Sequence, residues 1–208
     1  MVTAEHAFIR ANLPAPPARV LEVGAGNGEL ARALESAGYE VVAIDPAPGG
    51  ANVQACALHE LDEPPASFDA AVAVVSLHHV DPLADSLRRL AAVLVRGAPL
   101  VIDEFDVGAF DTDAAQWWLD QRQTLGGEER ATAEELVEEH RRHLHPLDRI
   151  LVALGADFDF GTPVRGPYLY RWNLGERLRL PEEELIAKGR IPAVGARLVA
   201  RRQRVSDR

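Results

Sequence analysis

The chain has 208 residues, 47% of them apolar and 26% charged, the size and balance of one folded α/β domain rather than of a disordered chain or two ordinary domains. Its 22 basic and 32 acidic side chains give a formal charge of −10, a field that opposes polyanions, so no nucleic acid partner is expected. No apolar run approaches the roughly 20 residues that span a bilayer, the first residues show no basic-then-apolar export signal, and the single cysteine, Cys56, has no internal disulfide partner; a cytoplasmic protein with no membrane partner is expected.

Residues 4–12 read as a short helix that stops at the cluster Pro14, Pro16 and Pro17. Arg19–Val23 reads as a strand, Glu29–Ala37 as a helix ended by Gly38, and Tyr39–Ile44 as a second strand. A short third strand follows at Ala55–Leu58, a fourth with a continuous apolar core at Phe68–Val75, and a fifth at Pro99–Glu104. The helix between the last two is marked by Asp81 as a cap, Pro82 in the first turn, and Leu83, Leu87, Leu90, Ala91 and Leu94 on one face. Near-continuous apolar strands separated by amphipathic helices predict a mostly parallel sheet covered on both faces.

Past the fifth strand the pattern changes. Asp111–Leu125 reads as a helix carrying Trp117 and Trp118, ended by Gly126 and Gly127. Thr132 with Glu135 is a capping-box pattern that opens a helix running to about Leu144, before Pro146. Another helix over 147–154, a strand over about 157–164, an aromatic run (Tyr168, Tyr170, Trp172), a helix near 182–188 and a final strand over about 194–202 complete the chain. Six arginines against one acidic residue over 190–208 are expected to form an exposed edge strand and tail.

Val20-Leu21-Glu22-Val23-Gly24-Ala25-Gly26-Asn27-Gly28 carries the chemistry: a strand enters a glycine loop that opens a helix. Glycines let the backbone turn sharply beside a ligand. Asp45, at the end of the next strand, offers a carboxylate able to accept both hydroxyls of a ribose. A dinucleotide loop of the form G-x-G-x-x-G would need glycine at position 29, where Glu29 stands. Its negative charge in the first helical turn repels a pyrophosphate, so the site favours a nucleoside without phosphates.

These residues, with Ile44-Asp45, Ser67-Phe68-Asp69 and Ser76-Leu77-His78-His79-Val80, closely resemble a class I S-adenosylmethionine-dependent methyltransferase over roughly residues 15–105. The resemblance implies a Rossmann-like α/β fold and S-adenosyl-L-methionine as cofactor, and the break in the scaffold after the fifth strand is expected to form a helical lid. One domain is expected, with a cofactor core at 15–105, a lid insertion at 106–146 and the remaining sheet and substrate-side elements at 147–208. By the resemblance Glu22 meets the methionine amine, Gly24 and Gly26 pass under the cofactor, and Asp45 holds the ribose. Leu58 and His59 stand near the adenine, and Ala25, Asn27, Pro46 and Ser76 complete the cofactor set. Only 13 residues separate Asp45 from His59, so the helix after the second strand is expected to be shortened or lost. The adenine-contacting acidic residue of the family has no clean match.

His78 and His79, closing the fourth strand, are candidate general bases. Alternation along the fifth strand separates Glu104 from Asp103 and makes Glu104 the candidate that reaches the site. Trp117, Trp118, His140, Tyr168, Tyr170 and Arg171 are candidate acceptor-binding residues, with one of the adjacent tryptophans packed inward and the other in the lid. The spacing of His140, His143 and His145 fits no familiar metal site, so no metal is expected. The function expected is methyl transfer to a small-molecule acceptor, on oxygen or nitrogen. A non-catalytic S-adenosylmethionine-binding module and, less favoured, an NAD-dependent oxidoreductase stand as alternatives, and homodimer formation is left open.

Overall fold

A computed structural model describes residues 4–204. Helices α1 (Ala4–Asn12), α2 (Glu29–Ser36) and α3 (Leu83–Val93) alternate with strands β1 (Arg19–Val23), β2 (Glu40–Asp45), β3 (Gln54–Ala55), β4 (Ala70–Val74) and β5 (Pro99–Phe105). Then come α4 (Thr112–Thr124), α5 (Ala133–His143), α6 (Leu147–Leu154), β6 (Phe158–Phe160), β7 (Val164–Gly166), α7 (Arg179–Ala187) and β8 (Gly195–Arg202). The sheet order is β3-β2-β1-β4-β5-β8-β6, with β7 also on β8. The first five strands are parallel, and β8 is antiparallel to its neighbours.

The apolar strands fill both faces of the sheet. Leu21, Val23, Ala71, Ala73, Leu100 and Ile102 pack with Leu87 and Leu90 of α3 on one face, while Val20, Ala70, Val72 and Val101 meet Ile9 and Leu34 on the other. Burial of such side chains contributes roughly 1.5–3 kcal/mol each. A further cluster, with Phe105, Phe110, Trp118, Leu136 and Leu169, lies beyond the carboxyl end of β5. β1 pairs β2 on one side and β4 on the other, with Val23 opposite both Ile44 and Ala73. That reversal of strand order opens a crevice at the strands' carboxyl ends.

Several local expectations hold. Asp111 caps α4, accepting from the Ala114 amide, and Thr132 and Glu135 form a complete capping box on α5. No helix forms between β2 and β3. Others are corrected. Ala55–Leu58 is not one strand: pairing stops at Ala55, and Leu58–Glu60 coil into a 3₁₀ turn that buries Leu58. Asp81 does not cap α3, because Pro82 occupies the cap position and no side chain bonds there. The strand expected over 157–164 breaks into β6 and β7 around Gly161 and Pro163, since proline donates no ladder hydrogen bond.

The basic terminal strand is not an edge. β8 lies between β5 and β6, and its arginines are used internally. Arg197 pairs with Asp103 at 2.8 Å, and Arg202 reaches Asp157 at 3.1 Å and the Ala91 carbonyl at 2.9 Å. Among the described residues no helix is long and apolar enough to cross a membrane.

Candidate active site

β1 leaves the sheet through Gly24, Gly26 and Gly28, all in the left-handed region with φ of 71°, 53° and 70°. At Gly24 a Cβ would come 2.3 Å from the Ser76 Cβ, so the turn closes on the end of β4 only because that position is glycine. Ser76 Oγ locks the contact by donating to the Val23 carbonyl at 2.8 Å. The Gly26 amide donates to Asp45 Oδ2 at 2.9 Å and the Ala47 amide to Oδ1 at 2.8 Å, which fixes the carboxylate and leaves each oxygen a further lone pair. Asn27 Oδ1 accepts from the Glu29 amide at 3.1 Å and so serves the start of α2.

A cavity of about 370 Å³ opens here, and Gly24, Asp45, Pro46, Leu58 and Ser76 line it, as do Val23 and Ile44. Glu22 is buried two residues before Gly24. Ala25, Gly26 and Asn27 shape the loop without lining the cavity. His59 does not line it either; its Nε2 lies 3.9 Å from Glu60 Oε1, because the 3₁₀ turn carries Leu58 inward and its neighbour outward. Cys56, Ala57, Val80, Asp81 and Ser86 line the cavity and were not anticipated. Ser86 is fully buried in α3, and its Oγ has no hydrogen-bond partner among the described residues.

A second cavity, of about 420 Å³, shares Val75 and His79 with the first. Val75 holds φ of 51°, a strained conformation for a β-branched residue, and its amide donates to the Asp103 carbonyl at 2.8 Å. His78, Phe105, Glu139, His140, His143, Leu144, Tyr168 and Trp172 form the rest of its walls. Phe105 stacks on Tyr168 with centroids 4.9 Å apart.

His78 and Glu104 lie 26 residues apart in sequence and meet across the β4–β5 pair, with His78 Nδ1 2.5 Å from Glu104 Oε1. The fully buried Glu104 also accepts from the amides of Ser76 at 3.2 Å and of Leu77 and Phe105 at 2.8 Å, so that both of its oxygens already face N–H donors. A carboxylate can only accept, so Nδ1 of His78 carries a proton and Nε2 is left as the basic nitrogen of the ring. Glu104 therefore orients His78 rather than lining the cavity. His79 sits at the junction, where partial desolvation, followed by the neighbouring His78, lowers its pKa below the ordinary histidine value.

The remaining candidates divide by position. His140 lines the cavity, with Nδ1 2.7 Å from the Leu136 carbonyl. Tyr168 and Trp172, four residues apart, face it from either end of a 3₁₀ turn. Tyr170 and Arg171, between them, do not: Tyr170 is buried and lines a separate hollow with Asp103 and Arg197, and Arg171 donates to Asp103 at 2.9 Å while lying 5.3 Å from the Tyr168 ring centroid. Glu182 holds this turn, accepting from the Tyr168, Leu169 and Tyr170 amides at 2.7, 2.9 and 2.8 Å; burial raises its pKa against those bonds. Neither tryptophan of α4 lines the cavity. Trp118 is buried, stacked 4.3 Å from Trp172 and donating to its carbonyl at 2.8 Å, and Trp117 packs against the same apolar cluster.

The three histidines around position 143 do not converge. His145 Nε2 lies 3.0 Å from the Val80 carbonyl and its amide donates to the His78 carbonyl, tying the α5–α6 junction to the histidine turn. Among the described residues no group of three histidine, cysteine or acidic side chains is placed to hold a metal ion.

A family model described as a methyltransferase domain matches residues 3–145. A ubiquinone biosynthesis O-methyltransferase of Xanthomonas campestris is 36% identical over 113 residues, 46% of this chain and 46% of that protein; the match thus spans less than half of that relative. Among solved structures, an S-adenosylmethionine-dependent methyltransferase from Mesorhizobium loti superposes with a TM-score of 0.62 at 18% identity, covering 96% of this chain and 98% of the other. A Burkholderia thailandensis 1,6-didemethyltoxoflavin-N1-methyltransferase, with bound 1,6-didemethyltoxoflavin and S-adenosylhomocysteine, gives 0.54 at 21% identity over 90% and 72% of the two chains.

Proposed function

Because the chain belongs to the methyltransferase-domain family, we propose that it transfers a methyl group from S-adenosylmethionine to an oxygen or nitrogen of a small molecule held in the second cavity. One observation supports this reading: the two cavities have Val75 and His79 as common lining residues, beside His78, whose Nδ1 is held by Glu104.

The residues of the first cavity fit the cofactor. Gly24 lines the cavity with bare backbone, packed against Ser76 so closely that no side chain fits, and Asp45 retains lone pairs for two ribose hydroxyls. Leu58, Ala57 and Val80 offer apolar surface for a purine, with the unpartnered Ser86 hydroxyl beside them. Glu22 is the candidate for the methionine amine. When bound, S-adenosylmethionine supplies a methyl group on a sulfonium, with the electrons of the broken bond staying on sulfur. The protein's remaining tasks are alignment, exclusion of water and removal of the acceptor proton.

His78 is suited to the last task. Glu104 holds Nδ1–H, so Nε2 accepts the proton of an acceptor hydroxyl or amine, and the carboxylate stabilises the imidazolium that forms. His79, with its lowered pKa, remains neutral near pH 7 at the junction. The acidic net charge and the internal use of the β8 arginines favour a small acceptor over nucleic acid.

Calorimetry with S-adenosylhomocysteine tests the cofactor half. Wild type binds, and Asp45→Ala weakens binding by roughly tenfold or more, since hydrogen bonds to a charged group contribute about 1.5–3 kcal/mol. No wild-type binding at millimolar ligand would end the proposal. Methyl-labelled cofactor incubated with a metabolite extract, read by mass spectrometry, tests transfer; labelled product should disappear in His78→Phe.

A further inference from the structure

The second cavity presents two imidazoles in one defined state. His78 Nδ1 faces the Glu104 carboxylate and His140 Nδ1 faces the Leu136 carbonyl, at 2.5 and 2.7 Å. Both partners are pure acceptors, so both rings are protonated at Nδ1, and a neutral ring then has Nε2 as an acceptor. The two rings flank a single wall: each stands edge-on to Phe105, His78 at 6.0 Å and 82°, His140 at 6.3 Å and 88°. His79 is held toward neutrality by its surroundings. The cavity thus combines flat walls, the stacked Phe105–Tyr168 pair and Trp172, with two anchored imidazoles, beside Glu139 and His143.

Resting on the methyltransferase reading above, we infer that the acceptor is a planar aromatic molecule with two proton donors, one deprotonated by His78 and methylated there, the other read by His140. At the first position an O–H or N–H bond breaks, its proton passes to His78 Nε2, and the freed pair on oxygen or nitrogen takes the methyl group. At the second position no bond changes. The donor hydrogen-bonds to His140 Nε2, which fixes the rotation of the ring and selects which donor meets His78. A molecule with one donor leaves the His140 acceptor nitrogen without this partner, and the loss of that bond weakens the complex. His140 is therefore a specificity-determining residue.

The test uses the whole chain with methyl-labelled S-adenosylmethionine and matched probes: phenol and aniline with one donor group, catechol, resorcinol and 2-aminophenol with two, and 2-methoxyphenol with the second donor blocked. The expected result is a kcat/KM for at least one two-donor probe about tenfold or more above its one-donor and blocked counterparts. In His140→Phe, which retains an aromatic ring at this position, that ratio falls to about one. His140→Leu, which also removes the acceptor, serves as a second variant if the first fails to fold, and S-adenosylhomocysteine affinity, measured by calorimetry, checks that the cofactor site is intact. Equal kcat/KM for one-donor and two-donor probes, or a ratio unchanged in a folded His140 variant, overturns the inference. So does binding of the cofactor without methylation of any probe, while absence of cofactor binding instead overturns the methyltransferase reading itself.

Discussion

In the first cavity the decisive contacts belong to the backbone: left-handed glycines, a carboxylate gripped by the Gly26 and Ala47 amides, and the Ser76 hydroxyl on the Val23 carbonyl. In the second they belong to side chains from four separate regions, β5, α5, the histidine turn and the 168–172 turn. The two also differ in their support. The first rests on the close-packed parallel strands, whereas the second rests on an aromatic cluster whose inner layer is the Trp118–Trp172 stack. A site built from backbone tolerates few substitutions at its turns, while a site built from side chains can change its ligand and retain its scaffold.

The largest test of that contrast is Trp118→Ala. Removing a buried indole should cost about 3–5 kcal/mol of stability, read as a lower midpoint in urea unfolding. The folded protein should bind S-adenosylhomocysteine within about threefold of wild type, because distant sites act nearly independently. A stable variant that loses cofactor affinity would show that the cavities are not separately supported.

Gly24→Ala should act in the opposite sense. A Cβ at 2.3 Å from that of Ser76, on a left-handed backbone, must push the turn and the end of β4 apart. Strain and overpacking together predict a loss of cofactor affinity of about a hundredfold, measured by calorimetry on folded protein. Wild-type affinity would mean that the turn yields and that the backbone does not set this cavity.

Ser86→Ala is smaller and sharpens the comparison, because its two readouts should move in opposite directions. Removing a buried, unpartnered hydroxyl should raise the unfolding midpoint of the free protein. If that hydroxyl serves the purine, affinity for S-adenosylhomocysteine should fall about fivefold. A purely structural serine would lower stability and leave affinity unchanged.

The smallest effect expected is one of pH at the junction. The pKa of His79 is depressed in the folded protein, mainly by desolvation. Below about pH 6.5 the unfolded chain therefore takes up this proton before the folded one. The stability contributed by neutral His79 is full above that pH and is lost as pH falls toward the folded pKa. His79→Gln should flatten the decline of the melting temperature below about pH 6.5; an unchanged slope would place the titration elsewhere.

Much of the first cavity was legible in the sequence because its signals are local. Three glycines within five residues state that the chain turns left-handed, Asp45 ends its strand, and Thr132 with Glu135 sets the start of α5 across one helical turn. His59 was misplaced because a one-residue difference between strand and 3₁₀ turn reverses which side chain points inward. Tyr170 and Arg171 were misplaced for a similar reason: in a tight turn, neighbours of Tyr168 and Trp172 point away from the face those two share.

The sequence by itself therefore determined the turns, caps and apolar strands, whose energetics are decided within a few residues. Only the tertiary structure decided which distant groups meet. The insertion of β8 between β5 and β6 turned an apparently free basic strand into partners for Asp103 and Asp157, and adjacency of β4 and β5 brought Glu104 to His78. Such pairings depend on strand order and register, properties of the assembled sheet, because a buried charge is stable only where the whole fold delivers its partner.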